Sequence, residues 1–263
     1  MSATPQEATL PAIDAPADID ALRHVSRSPI VDPGGVTFLY RGAADAVNLR
    51  LWIHGLPATQ PFERVGETDL WVLRVELPEN SRIEYKFAVL RDGFEEWILD
   101  PMNPLRAEDP FGANSVAQGY GYLRPEWTVS DGQARAGAID EVTVHSAALG
   151  DERHVGVYVP ARFRRSRHYP LLIVHDGFDY LRYADLRIVL DNLIHRLEIP
   201  PLIAAFTQSP ERLEEYAGHE GHARFVAVEI PELLQHSFPL HPSPAARGLI
   251  GASFGAVASL HQP

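Results

Sequence analysis

Two patterns of hydrophobic and polar positions divide the chain near residue 139. Between residues 36 and 89, apolar and polar residues alternate in four short runs, which is the period of a half-buried β-strand. Turn residues separate these runs, and no helical pattern lies between them. The runs are Val36–Tyr40, Val47–Ile53, Leu70–Val75 and Arg82–Val89. Short strands at this spacing predict a small antiparallel β-sandwich.

Beyond Ile139 the pattern predicts strands that alternate with helices. A β-hairpin is expected around Gly150, and two later runs are wholly apolar, which is typical of strands covered on both faces. The hairpin strands are Val142–Val144 and His154–Val159, and the apolar runs are Leu171–Val174 and Leu202–Phe206. Strands and helices in this order predict right-handed parallel crossovers on a doubly wound sheet.

Two helices are predicted among these apolar runs. One begins at Asp185, a residue type that caps helix N-termini, and presents one apolar face through about Glu198. The other covers His222 to His236, where Pro231 either interrupts the helix or lies in a first turn. The predicted fold class is α/β, with an antiparallel β-sandwich followed by a partial doubly wound sheet.

The two patterns predict four segments. Residues 1–25 have no periodicity and are expected to form a flexible tail. Residues 26–124 carry the β-sandwich, and residues 125–140 form a linker. Residues 141–263 form the α/β portion.

Charge and composition narrow the class of partners. The formal net charge is −12, so no basic stripe exists to meet the phosphates of a nucleic acid or an anionic membrane. The chain has no cysteine, which excludes disulfides and thiolate metal sites and suits a reducing compartment. The N-terminus lacks the pattern of a secretory signal, and no apolar run reaches the ~18 residues of a membrane span. We therefore expect a cytoplasmic protein with a small-molecule partner, and the sequence leaves its oligomeric state open.

The motif that carries chemistry is Gly251-Ala-Ser-Phe-Gly255. It has the G-x-S-x-G form of a nucleophile elbow, where a serine lies on a sharp turn between a buried strand and a helix. Small residues are needed on both sides because that turn packs backbone against backbone. Arg247–Ile250 supplies a short strand before the turn, and Ala256–Leu260 supplies the start of a helix. The motif therefore predicts Ser253 as a nucleophile.

With these residues, the chain resembles the enterochelin esterase-like family of α/β-hydrolases, the esterase D-type group. The stretches that resemble its catalytic half are Tyr169–Tyr180, Val189–Leu193, Ile199–Ile203 and Gly251–Gly255. The N-terminal part, with Tyr85–Phe87 followed by Leu99–Pro104, is similar to the immunoglobulin-like module that precedes such esterases. Related modules occur in glycogen-branching and starch-debranching enzymes.

The resemblance implies a serine ester hydrolase that forms an acyl-enzyme on Ser253 and acts on siderophore trilactones or smaller esters. It implies that backbone N–H groups of Phe254, Gly177 and Phe178 hold the oxyanion, and it implies no cofactor and no metal. The family places its catalytic Asp and His far downstream of the serine, whereas eight residues follow Gly255 here. We therefore expect a truncated chain that is inactive by itself and marginally soluble, because the strand before Ser253 becomes an exposed sheet edge.

Several histidines leave alternatives open. His175, beside Asp176, is either an upstream base for Ser253 or a strand-end histidine without a catalytic role, and the second is favoured. His219 and His222 are either metal ligands on one helical face or solvent-exposed side chains. The second is favoured because Gly221 is a poor residue for a helix interior.

Arg212, Glu215 and Tyr216 resemble a family segment near the rim of the active site. They either contact the substrate or include an Arg–Glu pair on the surface, and the surface pair is favoured.

The tryptophans Trp52, Trp71 and Trp97 either pack inside the sandwich, which is favoured, or stack on sugar rings. Exposed rings would support a second hypothesis, a non-catalytic glucan- or partner-binding module on a degenerate hydrolase scaffold. The third hypothesis is a fragment without a selected activity.

Overall fold

The computed structural model describes residue 22, residues 24–53 and residues 57–261. The chain divides into two compact units between Leu123 and Arg124. Most of the tail expected over residues 1–25 lies outside the described residues. No helix among the described residues has the length and apolar character of a membrane span.

Ten strands lie among the described residues of the first unit. They are β1 Ile30–Asp32, β2 Gly35–Arg41, β3 Ala46–Leu51, β4 Thr59–Pro61, β5 Glu63–Arg64, β6 Leu70–Val75, β7 Arg82–Arg91, β8 Phe94–Ile98, β9 Arg106–Asp109 and β10 Gly112–Gln118. One sheet has the order β1-β2-β6-β5 and the other β4-β3-β7-β10-β9, with β8 paired to β7. All of these pairings are antiparallel.

The core of the first unit lies between these two sheets. Phe38 and Trp71 from one sheet lie in one buried cluster with Leu49, Tyr85 and Phe87 from the other. The ring of Phe38 meets that of Tyr85 edge to face, with centroids 4.8 Å apart. The predicted antiparallel sandwich is confirmed, and it follows from the alternation because every second side chain of a strand lies on the same face.

A buried polar group, which we call the Tyr85 cluster, fixes the turn after β8. It consists of Tyr85, Asp100, Asn103 and Ser115. The Tyr85 hydroxyl donates to Asp100 Oδ2 at 2.7 Å, and Asn103 Nδ2 donates to the Tyr85 oxygen at 2.9 Å and to the Val116 carbonyl at 2.7 Å. The Asp100 N–H donates to Ser115 Oγ at 2.8 Å. Burial raises the pKa of Asp100, and the hydrogen bonds that it accepts oppose this rise.

The second unit is an α/β layer. Its strands are β11 Ala138–Ser146, β12 Asp151–Val159, β13 Leu171–Val174, β14 Ile203–Thr207 and β15 Arg247–Ile250. Its α-helices are α1 Gly177–Tyr183, α2 Leu186–His195, α3 Arg212–Glu215, α4 Glu220–Arg224, α5 Ile230–Ser237 and α6 Phe254–Leu260. Short 3-10 turns cover Glu126–Thr128 and Pro244–Ala246, and a π-helical turn, Phe225–Glu229, joins α4 to α5.

The sheet of the second unit has the order β11-β12-β14-β13-β15. The strands β13, β14 and β15 are parallel, and β11 and β12 form the expected hairpin. Leu190 of α2 packs on one face of the sheet, while Phe225 and Ile230 pack on the other. The doubly wound arrangement is confirmed. The chain passes from β13 to β14 on one side and then to β15 on the other, so the strand order reverses at β13. Sheets of this type bind their ligands outside the carboxyl ends of the strands at such a point, which here lies between β13 and β15.

The ends of the predicted helices differ from the structure. Asp185 precedes α2 with φ 48° and ψ 39°, and its side chain makes no capping hydrogen bond. An N-cap side chain reaches the first-turn N–H groups from an extended backbone, so the predicted capping is wrong. The helix predicted over His222–His236 is divided by the π-helical turn, and Pro231 lies in the first turn of α5.

The segment expected as a linker, residues 125–140, packs on α2 within the second unit. Asn192 Nδ2 donates to the carbonyls of Trp127 and Val129 at 2.9 and 2.7 Å. The Gly137 N–H donates to Asp191 Oδ1 at 2.8 Å. The side chains of α2 therefore satisfy backbone groups that a loosely tethered linker would leave to water.

Candidate active site

Ser253 lies on a strained turn between β15 and α6. Its φ of 54° and ψ of −120° belong to a region that residues with a Cβ rarely occupy. A Cβ placed on Gly251 would lie 2.2 Å from the Gly255 carbonyl, so the turn packs backbone against backbone as the motif predicts. The Ser253 side chain is exposed.

A second turn, which we call the Asp176 turn, leaves the neighbouring strand β13. Val174 is paired with Ile250 in the parallel ladder, and the His175 N–H donates to the Ile250 carbonyl at 2.8 Å. Asp176 has φ 52° and ψ 36° and directly precedes α1. Gly177 is required by close packing, because a Cβ there would lie 2.5 Å from Phe206 Cα. The turn is thus held against both neighbouring strands.

Both turns lead into helices, and the first N–H groups of a helix have no partner within it. Among the described residues, the N–H groups of Gly177, Phe178 and Phe254 donate to no carbonyl outside their helices. The two turns are neighbours, since a Cβ on Gly255 would lie 3.2 Å from Asp176 Oδ2. Free backbone donors from two turns therefore lie at one edge of the sheet, beside an exposed serine.

Arg212, at the start of α3, contacts both turns. Its Nε lies 2.9 Å from Asp176 Oδ1, and its Nη2 lies 2.9 Å from Asp176 Oδ2 and 3.3 Å from the Ala252 carbonyl oxygen. The Asp176 N–H donates to the Tyr216 hydroxyl at 3.1 Å. The expected surface pair of Arg212 with Glu215 is wrong, because the Arg212 guanidinium is occupied by Asp176.

Beneath the turns lies a buried group that we call the histidine cluster: Arg153, Glu215, His222 and His175. Arg153 makes two hydrogen bonds with Glu215, of 2.5 and 2.9 Å, and each of the two side chains is only 7% exposed. Burial alone would raise the pKa of Glu215, but the hydrogen bonds from Arg153 lower it below its usual range. Glu215 is therefore charged and is neutralised by Arg153.

The two histidines of this cluster are neutral near pH 7. Burial lowers the pKa of His175 to about 4, and burial also lowers that of His222. Their ring centroids lie 5.4 Å apart. Within the described residues, neither ring nitrogen of His175 makes a hydrogen bond, and the polar contact of the His222 ring is that of its Nδ1 with Glu215 Oε2 at 3.3 Å. His175 is therefore not bonded to Ser253, and the structure does not bring this pair together as a dyad.

The described part of the chain places no base on Ser253. The Ser253 hydroxyl makes no hydrogen bond there with a histidine or a carboxylate. His261 follows α6 at its far end, where its ring lies near Gly218. The site thus combines a strained exposed serine with free backbone donors, and the group that would take the serine proton is not among its described contacts.

His219 and His222 take separate positions. His219 is exposed, and its Nδ1 accepts the His222 backbone N–H at 3.2 Å, so it caps α4. His222 is 3% exposed and packs against Tyr216. The expectation of solvent exposure is wrong for His222, because α4 turns its ring towards the sheet.

Arg153 was not identified from the sequence. It occupies β12 on the same side as Val155 and Val157, which are buried. A charged residue in an otherwise apolar alternating set is the signal that could have identified it, because a buried charge needs a partner.

In the first unit, the tryptophans divide between core and surface. Trp71 is 6% exposed, whereas Trp52 and Trp97 are 65% and 44% exposed. The rings of Trp52 and Trp97 lie 5.9 Å apart, and the Arg50 guanidinium lies 4.5 Å from the Trp97 ring centroid. Packing in the core was the favoured interpretation, and it is wrong for Trp52 and Trp97.

In comparison with known proteins, each unit matches a family model. Residues 146–262 match the model of the putative esterase family, and residues 35–122 match that of the enterochelin esterase N-terminal domain. Among curated proteins, the uncharacterized protein YjcH of Bacillus subtilis is 28% identical over 131 residues, which is 47% of this chain and 55% of that protein. The chain thus spans about half the length of the curated relative that it matches.

Solved structures share the fold over most of the chain. Ferric enterobactin esterase from Salmonella typhimurium matches with a TM-score of 0.72 at 19% identity, covering 92% of this chain and 72% of that chain. Enterochelin esterase from Shigella flexneri matches with a TM-score of 0.68 at 20% identity and covers 92% and 71%. The enterobactin esterase FES from Shigella flexneri, solved in the presence of enterobactin, matches with a TM-score of 0.67 at 22% identity and covers 86% and 66%.

Proposed function

We propose that this chain, whose two units match the models of the putative esterase family and of the enterochelin esterase N-terminal domain, carries the nucleophile and oxyanion site of a serine carboxylic-ester hydrolase. The observation that supports this most directly is the strained, exposed Ser253 next to the free N–H groups of the Asp176 turn. Strain at an exposed nucleophile is what an elbow imposes so that the hydroxyl reaches the substrate.

In the proposed mechanism, the Ser253 oxygen attacks the carbonyl carbon of an ester. The negative charge that develops on the carbonyl oxygen is stabilised by the backbone N–H groups of Phe254, Gly177 and Phe178. The leaving oxygen takes up the proton removed from Ser253 and departs as the alcohol, while an acyl group remains on Ser253. Water then attacks the acyl carbon, the bond to the Ser253 oxygen breaks, and the acid is released as the serine regains a proton. No cofactor or metal takes part.

The serine proton needs an acceptor, since a serine hydroxyl is a weak nucleophile unless a base removes its proton. The described contacts of Ser253 include none. We therefore expect the chain to hydrolyse esters very slowly unless a base is supplied. An added base such as imidazole should raise the rate in a manner that depends on Ser253.

The substrate class that we propose is a small ester, either a siderophore trilactone or a smaller ester. One of the solved structures whose fold this chain shares, an enterobactin esterase, was solved in the presence of enterobactin. The acidic net charge of −12 is compatible with a neutral or cationic small molecule.

The test is covalent labelling of the purified chain with a neutral fluorophosphonate, with and without imidazole, followed by mass spectrometry. We expect little labelling alone and clear labelling with imidazole, which Ser253→Ala abolishes. In a serine hydrolase with a complete triad, removal of the nucleophile costs roughly 10⁶-fold in kcat.

The matched control is Ser166→Ala, which removes another exposed serine. Labelling that persists in the Ser253→Ala chain would contradict the assignment of Ser253. Fast stoichiometric labelling of Ser253 without imidazole would contradict the expected lack of a base.

The second candidate function is binding of a glucan or another partner by the first unit, and the exposure of Trp52 and Trp97 favours it. Faces of exposed indole rings suit the apolar faces of sugar rings. Titration of the chain with soluble oligosaccharides, followed by tryptophan fluorescence, should show a saturable change that Trp52→Ala removes. An unchanged spectrum at millimolar oligosaccharide would rule out this candidate.

A further inference from the structure

We propose that Arg212 is a positioning residue that holds the Asp176 turn and the Ser253 turn in one arrangement, so that their backbone donors face one oxyanion. The inference rests on the proposed function, and it assigns to Arg212 no contact with the substrate. Its subject is how two separately connected turns come to form one site.

The need for such a residue follows from the connectivity. The Asp176 turn follows β13 and the Ser253 turn follows β15, and the parallel ladder that joins the two strands ends at Val174 and Ile250. Beyond these residues, the His175 N–H bond to the Ile250 carbonyl is the next backbone link between them. The donors of Gly177 and Phe254 lie past this link, so their relative position depends on side chains.

Arg212 supplies that link with one planar group. The guanidinium binds both Asp176 oxygens through Nε and Nη2 and, through Nη2, reaches the Ala252 carbonyl at 3.3 Å. A two-pronged Arg–carboxylate contact fixes orientation as well as distance. The same guanidinium lies 6.0 Å from the ring centroid of Phe254, the residue that supplies the elbow donor. Arg212 therefore contacts both turns directly.

The Asp176 turn is also shaped for this contact. Asp176 directly precedes α1, yet its side chain makes no capping hydrogen bond to that helix. Its carboxylate is turned to Arg212 instead, while its N–H donates to the Tyr216 hydroxyl at 3.1 Å. Arg212 and Tyr216 are four residues apart, so one turn of helix presents both partners. Arg212 thus binds the side chain of Asp176 and Tyr216 binds its backbone N–H, and the two contacts together stabilise its left-handed backbone conformation.

The local charges favour positioning over attraction of substrate. The Arg212 charge is balanced by Asp176, which is mostly buried at the contact. A paired arginine attracts an anionic substrate weakly, whereas a misplaced donor weakens the oxyanion site by a large factor. Loss of one oxyanion donor costs about 10²- to 10³-fold in rate, and an ångström of misplacement costs about 10²-fold.

The experiment compares Arg212→Met and Arg212→Lys with Arg187→Met, in the full chain. Arg187 is a matched control, because it pairs with Asp191 at 3.4 Å on α2 and touches neither turn. The first measurement is amide hydrogen exchange of peptides that cover residues 174–180 and 250–257. We expect about tenfold faster exchange in both peptides for Arg212→Met and no change for Arg187→Met.

The second measurement is Ser253-dependent labelling by a neutral fluorophosphonate in imidazole, as a function of probe concentration. Arg212→Met should lower the maximal labelling rate about 10²-fold and leave the half-saturating concentration unchanged. Arg212→Lys keeps the positive charge but loses the planar two-pronged contact with Asp176, so its maximal labelling rate should be as low as that of Arg212→Met. Full recovery in Arg212→Lys, or a change confined to the half-saturating concentration, would overturn the positioning role.

The two proposals fail in different ways. Labelling that does not depend on Ser253 would overturn the proposed function, while the exchange measurement would still report whether Arg212 holds the turns. Unchanged exchange in both peptides of Arg212→Met would overturn this inference even where Ser253 is labelled.

Discussion

The Tyr85 cluster and the histidine cluster are both buried polar groups, but they differ in how completely their atoms are bonded. In the first, a tyrosine, an aspartate, an asparagine and a serine share hydrogen bonds, and none of their buried side-chain atoms lacks a partner among the described residues. In the second, neither ring nitrogen of His175 makes a hydrogen bond there, and His222 has a 3.3 Å contact from Nδ1 to Glu215 Oε2. The residues of both clusters are buried, so burial alone does not explain the difference.

The difference indicates different purposes. A fully bonded buried network holds one conformation, and in the first unit it fixes the proline-rich turn after β8. Unbonded polar atoms are costly in a core and call for a reason beyond stability. In the second unit they lie directly under the two turns of the candidate active site. Four measurements test whether the two clusters differ in this way.

The largest effect is expected from the ion pair of the histidine cluster. Arg153→Met leaves the Glu215 carboxylate buried without its partner, and breaking a buried pair costs about 3–5 kcal/mol. We expect this loss in the urea unfolding transition of the second unit. Arg187→Met, at a more exposed pair, should cost less than about 1 kcal/mol. If Arg153→Met also cost less than about 1 kcal/mol, water would be solvating the Glu215 carboxylate in place of Arg153.

The next effect is the response of the histidine cluster to acid. The pKa of His175 is about 4 in the folded chain and 6.5 in the unfolded chain, so the unfolded state takes up the proton first as pH falls. Its contribution to stability is therefore complete above pH 6.5 and is lost between pH 6.5 and 4, by about 3 kcal/mol.

The groups that face His175 are His222, Asp176 and Tyr216, so their own titration must be separated from that of His175. The measurement is the free energy of unfolding from pH 7 to pH 4 for the parent chain and for His175→Leu. As pH falls from 7 to 4, the free energy of unfolding of the parent chain should fall more steeply than that of His175→Leu. Parallel curves would show that His175 is protonated equally in both states.

A smaller loss is expected in the Tyr85 cluster. Asn103→Ala removes the donor to the Val116 carbonyl, which costs about 1–3 kcal/mol, while the Tyr85 hydroxyl keeps its bond to Asp100. The loss should be confined to the transition of the first unit. Asn48→Ala, on the outer face of β3, is the control and should cost less than about 0.5 kcal/mol. Equal losses would mean that the cluster does not depend on Asn103.

The smallest effect is expected outside both clusters. Trp52 is 65% exposed, so Trp52→Ser should change the free energy of unfolding by less than about 0.5 kcal/mol. A loss above 1 kcal/mol in thermal unfolding would place this ring in the packing of the first unit and would weaken its assignment to ligand binding.

Features of the fold that are set by residues close together in the sequence were predictable. The strands of the sandwich, the hairpin and the elbow depend on short repeating patterns and were predicted. The elbow was predicted because its steric demand lies within five residues, Gly251–Gly255. Such features can be recognised without knowing which elements are neighbours.

Side-chain partners were not predictable in the same way. Arg212 binds Asp176 across 36 positions, and Arg153 binds Glu215 across 62 positions. Both pairs depend on which strands are neighbours in the sheet, and the local pattern around each residue carries no such information. Glu215, the opposite charge three positions from Arg212 in the sequence, was consequently the wrong partner.

The π-helical turn between α4 and α5 also sets the direction in which later side chains point. One residue more or fewer in an α-helix rotates everything after it by about 100°. Glu229, at the end of this turn, accepts from Ser146 Oγ at 2.6 Å and from the Ala148 N–H at 2.9 Å, and Leu234 follows in the core. Deletion of a single residue in the π-helical turn would rotate the side chains of Glu229 and Leu234 away from the groups that they contact. We therefore expect this segment to tolerate changes of residue type far better than changes of length.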